Sequence, residues 1–241
     1  MTGPRVFVYV QHLLGIGHLK RAATLARELS DRGSEVTFAT GGFPVPEIQP
    51  PRVHLVQLPP AGASGLDFRS LVDAQGRQVD EAWRERRRAQ LLDAWRAARP
   101  HALVTELFPF GRRQMRFELL PLLEEASNAS QRPIIVSSVR DVLGQRDPAK
   151  QDEMLLLFER HFDHLLVHGD PRFLPCASTS ERKSRPDAPA GGNCTRCTRD
   201  GWISGTGNPP VAKVTSLPRS LNSRASVAAR FRWPIPSRCW T

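Results

Sequence analysis

The stretch from Arg5 to Arg32 constrains the fold more than any other part of the chain. It reads RVFVYVQHLLGIGHLKRAATLARELSDR. An apolar run, Val6-Phe7-Val8-Tyr9-Val10, feeds a loop carrying Gly15-Ile16-Gly17-His18, and a helix opens at once. A buried strand, a glycine-bearing loop and a helix N-terminus together make a ready-made anion site. The first turn of the helix leaves backbone N–H groups unpaired, and its dipole favours negative charge. Glycine lets that backbone approach a ligand closely. The pattern places the chain among α/β proteins that handle nucleotides or phosphates.

The helix reading can be checked by angle. At about 100° per residue, Leu19, Ala22, Ala23, Leu25, Ala26 and Leu29 share one arc of about half the surface. Lys20, Arg21, Arg27, Glu28, Asp31 and Arg32 fall outside it. Gly33 stands where a C-terminal cap is expected, and Ser34 to Thr40 reads as a second strand closed by Gly41-Gly42. Strand, loop, helix and strand within so short a stretch is a βαβ unit, which calls for a parallel sheet covered on both faces.

The same alternation continues. Val53 to Leu58 is a third strand, stopped by Pro59-Pro60, and Ala61 to Gln78 is a long loop. Asp80 to Arg99 is helical and ends at Pro100; Ala102 to Thr105 is a short buried strand. Arg112 to Ser127 is a helix, Pro133 to Ser138 a strand, Lys150 to Phe162 a helix, and His164 to His168 a strand. The expected fold is therefore a Rossmann-like, doubly wound parallel α/β sheet.

Near residue 175 the pattern stops. Residues 176 to 241 hold 11 Lys+Arg and 3 Asp+Glu, so they carry +8 of the +10 net charge of the 241-residue chain. They also hold all four cysteines, Cys176, Cys194, Cys197 and Cys239. Val211 to Val214 and Val227 to Phe231 are the only apolar hints there. Two readings stand open: a disordered basic tail, or an out-of-frame translation joined to the body in place of a further domain. The division expected is a body at 1–175 and a tail at 176–241. Cys194-Thr195-Arg196-Cys197 lacks a second pair at zinc-ribbon spacing, so no metal and no cofactor is expected. No run approaches the ~20 apolar residues of a membrane span. No signal-peptide pattern opens the chain, and a cytoplasmic location is the expectation.

The residues able to carry chemistry gather where strands end. His18 follows the glycine loop and could act as a general base, since imidazole titrates near neutral pH. The competing reading is a loop-packing or capping histidine; His12 is a weaker version of the same idea. Glu106, after the strand 102–105, could accept from sugar hydroxyls, and Arg112 or Arg113 could meet phosphate. Here the alternative is a proline-kinked connector with solvated charges. Ser137-Ser138-Val139-Arg140-Asp141 is a third strand-end cluster, in which Arg140 and Asp141 could simply pair; His168-Gly169-Asp170 is a fourth. On the helix 84–99, Arg87 and Arg88 lie on the same side as Trp83, Leu91 and Trp95. Its faces are poorly segregated, so a solvated helix covering the sheet is expected, with peripheral contact to anionic lipid head groups as the alternative.

Taken together, Val8 to Arg21, Glu106-Leu107-Phe108-Pro109-Phe110-Gly111-Arg112, Ser138-Val139-Arg140-Asp141 and Val167-His168-Gly169-Asp170 resemble a group of predicted bacterial glycosyltransferases. That group is related to the peptidoglycan N-acetylglucosaminyl transferase that forms lipid II (glycosyltransferase family 28-like). The resemblance covers about residues 1 to 175. It implies the N-terminal, acceptor-side half of a GT-B fold, in which two Rossmann-like domains face a cleft. Residues 176 to 241 match nothing in the donor domain such a fold would have, so a truncated chain, inactive alone, is implied. The partners implied are a nucleotide-sugar donor and a sugar or lipid-linked acceptor, not nucleic acid. His18 would be the catalytic base, and Gly15 and Gly17 would present backbone N–H groups to the diphosphate. Glu106, Arg112, Arg140 and Asp141 would line the substrate site. The apolar loop Leu107-Phe108-Pro109-Phe110 would lie exposed on the cleft face. A sugar-nucleotide epimerase and a nucleic-acid-binding protein working through the tail remain alternatives.

Overall fold

The structure, a computed structural model, describes residues 3–64, 70–140, 148–168 and 212–216; at 140, 148–151 and 212–216 it describes the backbone only. Strand β1 (Arg5–Val10) leads into helix α1 (Gly17–Asp31), then β2 (Glu35–Thr40) and β3 (His54–Gln57). A small hairpin follows, β4 (Gly62–Ala63) with β5 (Leu71–Val72), and then α2 (Glu81–Ala98) and β6 (Ala102–Glu106). The body closes with α3 (Arg116–Asn128), β7 (Ile134–Arg140), α4 (Pro148–His161) and β8 (His164–His168). A last strand, β9, spans Ala212–Ser216.

The main sheet runs β3-β2-β1-β6-β7-β8-β9. Its first six strands are parallel, and β9 pairs antiparallel with β8. The chain thus winds outward from β1 to β3, returns across the sheet, and winds outward again from β6. Between β1 and β6 the direction of winding reverses, and in open α/β sheets that is where ligands bind, beyond the C-terminal strand ends. The expected alternation is present throughout the body. The apolar residues at 211–214 fall largely within an edge strand, Ala212–Ser216. The rest of the tail, Asp141 and the loop residues 65–69 lie outside the described residues.

Side-chain alternation divides the core. Val6, Val8 and Val10 pack with Leu19, Ala22, Ala26 and Leu29 of α1 on one face. Phe7 and Tyr9 point the other way, into a cluster with Trp83, Leu91 and Trp95 of α2 and Leu119 and Leu122 of α3. Phe7 meets Trp95 edge-on, ring centroids 5.6 Å apart. Helix α2 starts at Asp80, whose Oδ1 accepts from the Trp83 N–H at 2.7 Å. Asp80→Ala removes that cap and is expected to cost about 1 kcal/mol, read as a lowered urea midpoint.

Two expectations are corrected. Helix α2 covers the sheet with a solvated outer face, but its faces are segregated: its buried residues Trp83, Arg87, Leu91 and Trp95 recur every fourth position, and Arg87 is fully buried within that stripe. What allows it is a partner on another element, Glu118 of α3, also fully buried. Nor does Leu107-Phe108-Pro109-Phe110 lie exposed. Phe108 is fully buried, and Phe110 packs on Phe158 of α4 at 5.6 Å between centroids. Leu107 turns the chain inward with a left-handed φ of 69°, and the Phe108 carbonyl accepts from Thr105 Oγ1 at 3.1 Å and Ser137 Oγ at 2.8 Å. Among the described residues, the large exposed apolar side chains are instead Leu14, Ile16 and Phe43, which follow β1 and β2, and Leu155 and Leu156 on α4.

Candidate functional site

The C-terminal edge of the sheet at β1 and β6 brings together residues far apart in sequence. His18 is the second residue of α1, reached from β1; Glu106 is the last residue of β6. His18 Nδ1 lies 2.9 Å from Glu106 Oε1. Arg21, one turn along α1 from His18, directs both Nε and Nη2 at the same carboxylate oxygen and also reaches His18 Nδ1 at 2.9 Å. The second oxygen, Oε2, accepts from Ser138 Oγ at 2.6 Å, and Ser138 Oγ in turn meets His168 Nε2 at 2.9 Å. Glu106 is almost wholly enclosed, while a quarter of the His18 side chain reaches solvent.

Burial alone would raise the Glu106 pKa. The hydrogen bonds from His18, Arg21 and Ser138, with the Arg21 charge, outweigh burial and hold the carboxyl below its ordinary value. Glu106 is therefore an ionised acceptor at neutral pH. His18 Nδ1 cannot both accept from Arg21 and face that carboxylate without setting two lone pairs against each other. We assign the proton to Nδ1, donated to Oε1, with the Arg21 N–H groups directed at the same oxygen, which turns Nε2 away from the carboxylate. An imidazole held in this way, with one nitrogen on a carboxylate, has the geometry that a general base requires.

A second network lies behind the first. The Arg87 guanidinium donates Nε to Glu118 Oε2 at 2.7 Å and Nη2 to Glu118 Oε1 at 2.9 Å. Nη2 also reaches Gln11 Oε1 at 2.6 Å, and Nη1 reaches the carbonyls of Gly41 at 2.9 Å and Pro59 at 2.6 Å. All five of its N–H groups are used. Tyr9 Oη donates to Glu118 Oε1 at 2.5 Å. Gln11 then ties its own Nε2 to the carbonyls of His12 at 2.7 Å and Ala61 at 3.0 Å. The loops after β1, β2 and β3 are thus fixed from beneath. Gly41 leaves no alternative, because a Cβ there would stand 2.0 Å from Arg87 Nη2.

The sequence candidates divide accordingly. His18 and Glu106 meet, but Glu106 holds a histidine, an arginine and a serine where a sugar hydroxyl was expected. Arg112 is drawn inward and donates Nε to the Gln11 carbonyl at 2.6 Å. Gly15 and Gly17 lie exposed at the start of α1, and a Cβ at either would meet nothing within 4 Å. Packing within the chain thus does not demand glycine at those positions. Arg140 ends β7 in register with His168, and its side chain lies outside the description, as does Asp141. Reading the sequence missed Arg21, which it assigned to the solvent side of α1, and the part played by Ser138 and His168. The signal for Ser138 and His168 was position, at or beside the C-terminal end of a parallel strand, whereas Arg21 on α1 carried none.

Burial holds His168 down to about 4, and it also lowers His12 and His164. These three imidazoles are neutral in the fold and take up protons near the ordinary histidine value once unfolded. Stability is therefore full above about pH 7 and is lost as the pH falls toward 4. His168 alone accounts for at most roughly 2 kcal/mol between pH 7 and pH 5, less what its exposed edge recovers from water. Urea midpoints at pH 7 and pH 5 measure this, and equal midpoints would contradict it.

No protein-family model and no curated protein matches the sequence. Among solved structures, the chain is similar to CalG4, the calicheamicin glycosyltransferase, at 17% identity and a TM-score of 0.41, over 77% of this chain and 57% of that one. SsfS6, a glycosyltransferase of Streptomyces sp. SF2575, matches at 13% identity and a TM-score of 0.39, over 66% and 45%. Phytolacca americana UGT2, complexed with UDP-2fluoro-glucose and pterostilbene, matches at 18% identity and a TM-score of 0.34, over 67% and 34%. The chain therefore spans less than two thirds of each of these proteins.

Proposed function

We propose that residues 1–175 form the acceptor-side half of a glycosyltransferase that moves a sugar from a nucleotide-sugar donor to an acceptor hydroxyl. The observation that carries the reading is His18 Nδ1 on Glu106 Oε1 at the winding reversal of the sheet, 2.9 Å apart. In the reaction proposed, His18 Nε2 takes the acceptor proton while the hydroxyl oxygen bonds to the anomeric carbon. The bond from that carbon to the diphosphate breaks, and the nucleoside diphosphate carries the electron pair away. The Glu106 carboxylate stabilises the imidazolium that forms, as the acid of a triad does. The backbone at Gly15 to Gly17, opening α1, supplies N–H groups and the positive end of the helix dipole to the leaving diphosphate. The motifs from Val8 to Arg21 and from Glu106 to Arg112 support the same reading through their resemblance to the glycosyltransferase group.

A donor-binding domain is a further requirement of this proposal, and the 241-residue chain alone is expected to be inactive. Acceptor binding is testable without it. Hydroxyl acceptors titrated into the chain should perturb the His18 imidazole resonances in NMR spectra. Acceptors that perturb distant histidines such as His54 and leave His18 unmoved would sink the assignment.

A further inference from the structure

The direction of each hydrogen bond behind Glu106 can be worked out from the charge at one end. Ionised Glu106 only accepts, so Ser138 must give its hydroxyl proton to Oε2, 2.6 Å away. With that proton committed, Ser138 Oγ can only accept at its other side. His168 Nε2, 2.9 Å off, must therefore be the N–H donor, whatever its Nδ1 does. The two groups come from the next two strands of the sheet: Ser138 on β7 lies in register with Glu106 of β6, and His168 closes β8 beyond it. Ser138 is also fixed through its backbone, because its carbonyl accepts from the Leu107 N–H at 2.7 Å.

We propose that Ser138 and His168 are positioning residues for the His18 base: a one-way chain, His168 Nε2–H to Ser138 Oγ–H to Glu106 Oε2, holds the carboxylate so that Oε1 faces His18 Nδ1–H. The two residues do not touch the reacting atoms and act only through Glu106. The proposal rests on the reading of His18 as the base. The titratable and charged groups that must be counted with them are Arg21, which shares Oε1, the Arg112 guanidinium, and the His12 imidazole, which burial keeps neutral. Arg21 pulls on Oε1 alone, so without Ser138 nothing on the opposite oxygen resists rotation of the carboxylate. The serine hydroxyl sets the plane of the carboxylate, and the histidine fixes which way that hydroxyl points.

The test is the tautomer of each histidine, read from the imidazole nitrogen shifts of the ¹⁵N-labelled 241-residue chain at pH 7.5. The native protein should show His18 as the Nδ1–H form and His168 as the Nε2–H form. Ser138→Ala should lower the Nδ1–H to Nε2–H ratio at His18 by roughly tenfold, the worth of a charge-assisted hydrogen bond. His168→Phe should lower it less, while Ser138→Thr and His168→Gln, which keep a hydroxyl and an N–H donor, should restore it. Glu106→Gln separates the two levels of the claim. If it changes the His18 tautomer while Ser138→Ala and His168→Phe do not, the extended chain is wrong and the His18–Glu106 pair stands. If Glu106→Gln also leaves His18 unchanged, the pair itself is wrong. An Nδ1–H form at His168 overturns the proposal at once.

Discussion

Methionine in place of Arg87 is expected to lower folding stability by about 3–5 kcal/mol, the loss found when one partner of a buried ion pair is removed. The methionine stem fills much of the arginine's volume, so the effect is not chiefly a cavity. It arises from what is left behind. Glu118 would be left in a site of zero exposure without its cation, its carboxyl facing Tyr9 Oη, and would have to carry an unpaired charge or bind a proton to lose it. Gln11 Oε1 and the carbonyls of Gly41 and Pro59 would lose their donor as well. Adding Glu118→Leu should recover a large part of the loss, because the uncompensated charge then disappears. Urea midpoints of the two single variants and the double variant measure the coupling. Additive losses in the double variant would show that the guanidinium and carboxylate do not depend on each other. The single variant should also loosen the loops that follow β1, β2 and β3, since one side chain ties all three.

His18→Ala is the second large expectation. In the chain supplied with a donor-binding domain, turnover should fall by about 10²–10⁴-fold, the range for a positioned general base. Glu106→Gln keeps the shape but offers an amide where the carboxylate accepted from Nδ1–H, so it should lose as much as about 10⁴-fold, with little change in acceptor binding. The bond at stake is the 2.9 Å contact between them. A loss confined to acceptor affinity would assign both residues to binding and leave the base unidentified.

Much of the architecture was legible because one signal, the spacing of apolar residues, answers to one cause, burial on a two-sided sheet. Val6, Val8 and Val10 against Phe7 and Tyr9 read as a strand buried on both faces, and that is how they pack. The same signal misjudged Arg87, because it scores a guanidinium as belonging in water. Only its place in the stripe of Trp83, Leu91 and Trp95 pointed inward, and its partner Glu118 lies 31 residues away. Leu107 to Phe110 misled in the opposite sense. Apolar residues in a connector read as exposed, whereas the carbonyl of Phe108 is satisfied by Thr105 and Ser137 and the rings can then be buried.

The site was legible by place more than by pairing. A parallel sheet delivers its strand ends to one edge, so His18, Glu106, Ser138 and His168 could be placed there one by one. Which of them touch depends on the strand order β1-β6-β7-β8, and no local pattern records that order. Arg21 was hidden for a related reason. A helical wheel separates core from water, and a cleft counts as water until the facing strand is known.

The most direct measurement is product analysis. The chain is incubated with a nucleotide sugar, an acceptor alcohol and a donor-binding domain supplied in trans, beside its His18→Ala variant. Sugar transferred to the acceptor by the native chain, with release of nucleoside diphosphate and a loss of at least about 10²-fold in the variant, is the predicted result. Transfer that His18→Ala leaves unchanged, or conversion of the nucleotide sugar into an epimer with no acceptor consumed, would contradict it.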